Sequence, residues 1–519
     1  MSRLRLTDSR YSSAIHHSSG RYAPAPPLSG QFAIALLCGG ILTLAFPEPD
    51  LFPLAWLALA PVLGVTRACG TRRSFFVWFV FGLGFMGTLL YWISIVGWAA
   101  WAALVLMESI YYGLFGALWA IASRHRIAAL HVLAAAALWV AVEYLRSILP
   151  VVGFTWGELA QSQHNAPFLL RSAAYGGGWA VALLIVAVNA LIAEAWRSVR
   201  AGRWGRGVVE VLASALLLAA PLLIPANEAR GNRMRVAIVQ GNVPRNFEGD
   251  VLDKEREIIA SHKRITEDLA SEEPDLVVWP ESAMGLDPEE NEDAENDLRD
   301  AARAVDATML VGGNTDIGTD RYQVKIFEVS PDGEIVDSYQ KRHLVAFGEF
   351  VPVRDKLDWI PMLDQVPRDA QPGDEPKVFD HPDGPIGAVI SFEGDFGSLV
   401  RESIAEGGRL LVVATNTSTW GESWASAQHV AFSQVRAAEN GVWVLHGALS
   451  GISAFIDPEG RVVSSTPLWT ATSLVRDVRF SESASFYART GDWLPWVSAV
   501  LGLLLVLSAV VLKPTPVRR

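Results

Sequence analysis

The sequence predicts a polytopic α-helical membrane protein of about eight transmembrane helices that carries an extracytoplasmic α/β domain. Three observations lead there. Charge-poor apolar segments recur at 31–46, 52–66, 75–96, 101–123, 127–142, 179–195, 208–224 and 493–512, several of them near the ~20 residues a helix needs to cross the hydrocarbon core. Acidic residues are concentrated elsewhere: about 45 of the 55 fall between Met234 and Tyr487, against about half of the 43 basic ones. Within that acidic stretch, long apolar runs give way to short Val- and Ile-rich runs alternating with amphipathic patterns.

The bulk composition agrees with a membrane protein. Hydrophobic residues make up 51% of 519 positions. The mean hydropathy is +0.26, too apolar for one soluble globule. The chain carries −12 overall, yet outside the acidic stretch it is net positive. So acidic a domain excludes nucleic acid as a partner. Both cysteines, Cys38 and Cys69, lie in the N-terminal part, so the acidic domain has no disulfide framework and no Cys-rich metal site. The ten histidines show no HExxH or carboxylate–His cluster, so neither metal nor cofactor is expected.

The first two apolar segments are short and separated by Pro47-Glu48-Pro49-Asp50, which suggests a tight helical hairpin. Basic residues flank every second connection. Arg3, Arg5 and Arg10 precede the first span, and Arg67, Arg72 and Arg73 follow the second. Arg124 and Arg126 follow the fourth, Arg197, Arg200, Arg203 and Arg206 the sixth, and Lys513, Arg518 and Arg519 the eighth. By the positive-inside bias both termini are cytoplasmic and the acidic domain is outside. The N-terminal thirty residues lack a cleavable-signal layout, so the first span is retained. The chain then divides into a cytoplasmic segment 1–30, a seven-span bundle 31–226, an external domain 234–487, a last span 493–512 and a tail 513–519.

Three features of the bundle need weighing. Glu108 sits mid-span, where an ionisable group is either functional or bonded to a neighbouring helix; both readings stand. Glu143 and Arg146, three apart on one helical face, predict a local ion pair. The long connection 150–176, with Gly153-Phe-Thr-Trp-Gly157, lines a lipid entrance or packs at the interface.

In the external domain, strands are expected at 236–240, 276–279, 309–312, 387–390 and 410–414, with helices at 254–270, 295–307, 397–406 and 424–439. Runs 324–329 and 335–339 form a hairpin around Pro331-Asp332-Gly333, and Asp457-Pro-Glu-Gly460 suggests another turn. Functional groups of such folds sit just past strand ends. Three segments fit: Trp279-Pro-Glu281-Ser, Lys341 followed eight residues later by Glu349, and Ile390-Ser391-Phe-Glu393. Singly each is weak, since a Glu or Lys after a strand is usually a solvated loop residue. Their order is more specific.

Those segments, with Phe347-Gly-Glu-Phe-Val-Pro352, resemble the nitrilase (carbon–nitrogen hydrolase) superfamily. Eight spans with such a domain before the last resemble the apolipoprotein N-acyltransferase family, from the first hairpin through 239–244 to Gln428-His429. The resemblance implies an αββα sandwich and a bacterial inner (plasma) membrane enzyme without cofactor. It implies transfer of an acyl chain from a membrane phospholipid to the N-terminal amine of a diacylglyceryl-cysteine lipoprotein, through an acyl-enzyme. It makes Glu281 the general base, Lys341 the stabiliser of the tetrahedral intermediate and position 391 the nucleophile, with Glu349, Glu393 and Trp420 as accessory acidic or substrate-binding positions. The chemistry fits independently: two-step acyl transfer needs a nucleophile beside a base, and donors such as Lys341 and the Phe392 N–H where the oxyanion develops.

The resemblance breaks at one position. The family nucleophile is cysteine, and this chain has Ser391. Nearby, Asn416–Gly421 lacks an aromatic pair although Trp420 keeps one ring, 446–451 lacks the Arg and Asn pattern, 245–250 lacks a tryptophan, and Ala346 replaces proline. Ser391 is then a working oxygen nucleophile, a mark of an inactive homologue that binds phospholipid or lipoprotein, or a Cys→Ser substitution. An outward-facing amide hydrolase would use the same Glu and Lys with water as acceptor.

Overall fold

The computed structural model describes residues 26–511, except 68, 151–152, 246, 358, 360–362 and 365. The flanking arginines at 3, 5 and 10 and the tail 513–519 lie outside the described residues.

Each of the eight apolar segments is helical, and five helices are long and apolar enough to cross a membrane: Trp98–Ala122, Ala128–Ile148, Gly178–Arg200, Trp204–Leu223 and Trp493–Val511. The N-terminal hairpin is shorter. Leu28–Thr43 spans 16 residues, and the stretch Phe52–Thr66 is broken at Leu59, ahead of Pro61. Asn189 repairs that break: its Oδ1 accepts from the Leu59 and Ala60 amides at 3.0 and 2.9 Å, and its Nδ2 donates to Ala55 O. An apolar bundle needs such internal partners, because lipid offers none. Helices Leu28–Thr43 and Thr71–Leu89 meet backbone to backbone, since a Cβ on Gly39 would lie 2.3 Å from Phe81 O and one on Gly84 2.4 Å from Leu36 O.

One expectation fails in the bundle. Arg146 does not pair with Glu143; its Nη1 lies 3.4 Å from Glu108 on the neighbouring helix and donates to Trp156 O at 2.6 Å. Glu143 Oε1 accepts from the Leu159 amide and the Trp139 indole instead. The i,i+3 spacing permitted a local pair, but a charge enclosed by tertiary contacts takes its partners from whatever packs over it. Glu108 is thereby the ion-pair partner of Arg146. The connection 150–176 is likewise well packed, with short helical turns at Leu159–Gln163, Pro167–Leu170 and Ala173–Gly176. It is wedged between bundle and domain: Gln163 accepts from the Trp56 indole, while His164 O accepts from Gln434 and Glu158 faces Arg436 at 3.5 Å.

The strands are β1 (Arg233–Gln240), β2 (Leu276–Met284), β3 (Thr308–Ile317), β4 (Arg321–Val329), β5 (Ile335–Gln340), β6 (Asp369–Ala370), β7 (Val378–His381), β8 (Gly384–Ile390), β9 (Leu410–Thr415), β10 (Val444–Ala448), β11 (Ala454–Ile456), β12 (Val462–Ser465) and β13 (Thr472–Arg479). They form two sheets, ordered β13-β1-β2-β3-β4-β5, with β6 beside β4, and β12-β11-β10-β9-β8-β7. The central strands read as near-continuous apolar runs because both of their faces are covered. Val236, Ile238, Leu276 and Val278 pack against Ile386, Ala388, Leu410 and Val412 between the sheets. Ala237, Val239, Val277 and Trp279 face the helices Val251–Glu267 and Glu292–Val305, and Val389, Leu411 and Val413 face Gly397–Ala405 and Ala425–Asn440. The result is a four-layer αββα sandwich. Its helices start where the sequence caps them: Asp250 accepts from Asp253 N and Asn291 from Ala294 N.

Candidate active site

In the parallel cores β1-β2-β3 and β8-β9-β10 the carboxyl ends of the strands point the same way within each sheet. Glu281 and Ser391 are found near those ends, and Lys341 follows the antiparallel strand β5.

Glu281 leaves β2 through an irregularity between Trp279 and Met284, where the next residue, Ser282, has φ +61°. Gly312 on β3 makes room, because a Cβ there would stand 2.3 Å from Pro280 O. The bulge turns Glu281 out of the strand alternation and into the space between the sheet ends. Lys341 follows β5, with its own N–H fastened to Val324 O at 2.9 Å. Its Nζ donates to Glu281 Oε1 at 2.9 Å and to Glu349 Oε1 at 2.5 Å. Glu349 is held in turn by the Val345 N–H at 2.8 Å, and Glu281 Oε2 by the Asn416 N–H at 2.9 Å.

Burial dominates the electrostatics. It pushes the Glu281 carboxyl up, partly offset by the Lys341 cation and by hydrogen bonds from Lys341 and Ser391. Burial alone would lower Lys341, but Glu281 and Glu349 outweigh it and hold the ammonium form. The cluster thus keeps a fixed cation beside a carboxylate whose hold on a proton is strengthened by burial.

Ser391 follows the last residue of β8 and has φ +51°, a backbone conformation that side chains resist. It opens a tight helical turn, Ser391–Asp395. Glu393 secures this turn: it is fully buried and accepts from Ile390 N, Tyr339 Oη, Arg342 N and His343 N at 2.6–3.0 Å. Its carboxylate therefore joins the exit of β8 to the exit of β5, bringing Ser391 and Lys341 to one place. Pairing of Ile390 with Ala414 makes Thr415 the neighbour of Ser391, and Thr415 Oγ1 donates to Ser391 Oγ at 3.2 Å.

Aromatic residues from both halves wall this region. Trp156 of the bundle connection stacks with Phe392 at 5.9 Å and 19° and with His429 at 6.2 Å and 6°. Trp420 meets the Trp92 ring edge-on at 4.4 Å. Gln428 joins the two halves: its Oε1 accepts from both Trp92 and Trp156 indoles at 3.0 Å, and its Nε2 reaches Pro47 O and Leu89 O.

The structure therefore gathers Glu281, Lys341, Glu349 and Ser391, uses Glu393 to fasten the turn, and sets Trp420 in the wall. Sequence reasoning passed over Thr415 and Asp395, and it named Gln428 and His429 only as part of the resemblance, without a role. The strand register was the usable signal for Thr415, since it is the last residue of β9 as Ile390 is of β8. The 34-residue gap between Asp395 and His429 gave no motif.

Residues 38–191 match the model of the apolipoprotein N-acyltransferase N-terminal domain, and residues 235–487 match that of carbon–nitrogen hydrolases. The apolipoprotein N-acyltransferase of Geobacter metallireducens is 32% identical, over 90% of this chain and 92% of its own length. That of Mycolicibacterium smegmatis is 31% identical, over 92% of this chain and 84% of its own. Among solved structures, an amidase from Nesterenkonia sp. is similar at 19% identity and a TM-score of 0.37, over 49% of this chain and 92% of that one. With both halves matched in order and relatives aligned along nearly their whole length, the chain belongs to the apolipoprotein N-acyltransferase family.

Proposed function

We propose that this protein transfers a fatty acyl group from a membrane phospholipid to the N-terminal amine of a diacylglyceryl-cysteine lipoprotein, with Ser391 as the acylated residue. The observation that carries this reading is the convergence on one strained serine of a buried carboxylate and a fixed cation.

In the first half-reaction Glu281 takes the Ser391 hydroxyl proton as Oγ bonds to the ester carbonyl carbon. The carbonyl electrons move onto oxygen, where Lys341 and the Phe392 N–H stabilise them; one such donor is worth about 10²–10³ in rate. The C–O bond to the lysophospholipid then breaks, and its oxygen takes the proton from Glu281. In the second half-reaction the lipoprotein amine attacks the ester, loses its proton to Glu281 and leaves an amide, and Ser391 recovers the proton. Glu349 keeps Lys341 charged throughout. A hydroxyl is a weaker nucleophile than a thiol, which is already a few per cent thiolate near neutrality.

The aromatic wall shared with the bundle supports entry of the acyl chain from the bilayer. The basic flanks at Arg67, Arg72, Arg73, Arg124, Arg126 and Arg197–Arg206 support eight spans, cytoplasmic termini and the α/β domain on the outer face. On this reading the units are the bundle 31–226, the domain 234–487 and the last span 493–512.

The test is mass-spectrometric N-acylation of a diacylglyceryl lipopeptide by the purified protein in phospholipid micelles, beside Ser391→Ala and Ser391→Cys. Addition of one acyl group by the chain, and none by Ser391→Ala, is the expected result. If the chain as it stands is silent and Ser391→Cys active, serine is not a working nucleophile. Silence of all three points to a binding protein.

A further inference from the structure

A second line of polar groups, separate from the Lys341 cluster, also ends on Ser391. Thr415 Oγ1 donates to Ser391 Oγ at 3.2 Å and stands 3.3 Å from His429 Nδ1. His429 Nε2 in turn lies 3.1 Å from Asp395 Oδ1. Three elements supply the four residues: the turn after β8 carries Ser391 and Asp395, the end of β9 carries Thr415, and the helix Ala425–Asn440 carries His429.

The proton inventory gives this line a direction. A threonine hydroxyl has one proton, and Thr415 donates it to Ser391, so Thr415 accepts from His429 and Nδ1 carries a hydrogen. Asp395 is fully buried, and among the described residues its carboxylate has no polar neighbour within bonding distance other than His429. A bare ring nitrogen facing a buried carboxylate would leave that charge uncompensated, so Nε2 carries a hydrogen as well. Burial would lower His429, but the Asp395 carboxylate, with Glu281 and a hydrogen bond to the Ser391 backbone, raises it; burial also raises Asp395, partly offset by His429. His446, whose ring centre lies 5.2 Å from that of His429, is driven down by burial and by its charged neighbour His429.

We propose that Asp395, His429 and Thr415 form a positioning chain that delivers a hydrogen bond to Ser391 Oγ and stabilises the oxygen nucleophile as its proton leaves for Glu281. No proton passes along the chain. It keeps a donor on the Ser391 oxygen when negative charge develops. A thiol needs this help less, because it ionises near neutrality unaided. The chain thus accounts for how this family member acylates through serine, and it rests on the reading of Ser391 as nucleophile.

The experiment is the rate of acyl-enzyme formation in the full-length protein in phospholipid micelles without acceptor, followed by intact-protein mass spectrometry. Thr415→Val, Thr415→Ser and His429→Gln are compared in the native and Ser391→Cys backgrounds. Thr415→Val should slow acylation of Ser391 by about 10- to 100-fold, the worth of a charge-assisted hydrogen bond. Thr415→Ser should restore the rate to within about threefold, and the loss should shrink about tenfold in the Ser391→Cys background. His429→Gln, which keeps a neutral donor but removes the ring facing Asp395, should give a loss of about tenfold if Thr415→Val does not fold. Equal losses with oxygen and sulfur, failure of serine to restore the rate, or no loss at all would overturn the chain while leaving Ser391 as nucleophile. Acylation persisting in Ser391→Ala would overturn the nucleophile itself.

Discussion

Arg146 in the bundle and Lys341 in the α/β domain are each only 1% exposed, and each faces carboxylate. Arg146 holds structure through Nη1: it pairs with Glu108 at 3.4 Å and with the Trp156 carbonyl at 2.6 Å, which fastens the connection 150–176 to the bundle. Lys341 also pairs, with Glu281 and Glu349, but Glu281 lies beside a serine held at φ +51°. Both clusters carry the desolvation penalty of buried charge. What separates a structural ion pair from a reactive one is whether a carboxylate of the pair can still take a proton from a strained neighbour.

Substitutions that remove one member of each cluster sharpen this contrast. Glu281→Gln should have the largest effect, lowering acylation by about 10²–10⁴ while preserving the shape of the site. Lys341→Met should lower acylation by about 10²–10³, and by leaving two buried carboxylates without their cation it should also destabilise the protein by about 3–5 kcal/mol. Denaturation of both variants in micelles separates the two effects. Arg146→Met should show a similar loss of stability, about 3–5 kcal/mol, but less than about tenfold loss of acylation per folded molecule. A collapse of activity in the folded Arg146 variant would erase the distinction between the clusters. The mildest test is pH. On the proposed mechanism the base is ionised Glu281, and burial raises its pKa, so acylation should fall as pH drops through a midpoint above the ordinary glutamate value of about 4.3. A limb at or below that value would mean that Glu281 is not the base.

Much of this was legible in the sequence. The strands at 236–240, 276–279 and 387–390 read clearly because both faces of each sheet are buried and the runs are nearly all aliphatic. β12 is mostly exposed, and β13 carries arginines between its apolar residues; neither has such a signal. Glu281, Lys341 and Ser391 could be picked out because each follows a run that reads as a strand, although β2 continues past Glu281 to Met284. The partner of Arg146 could not, because helix spacing ranks Glu143 first and only packing brings Glu108 across. Glu393 also escaped its true use: a carboxylate beside a nucleophile suggests chemistry, while four donors from two segments make it a fastener.

Gln428 has a consequence for the order in which the protein matures. Its amide meets Trp92, Leu89 and Pro47, partners separated from it by 336, 339 and 381 positions, so the last of these contacts waits until nearly the whole chain has been made. Until then Trp156 and Trp92 are not seated, and the wall beside Ser391 is incomplete. By tying the wall to contacts of such long range, the fold completes the surroundings of Ser391 only when the bundle and the α/β domain have met.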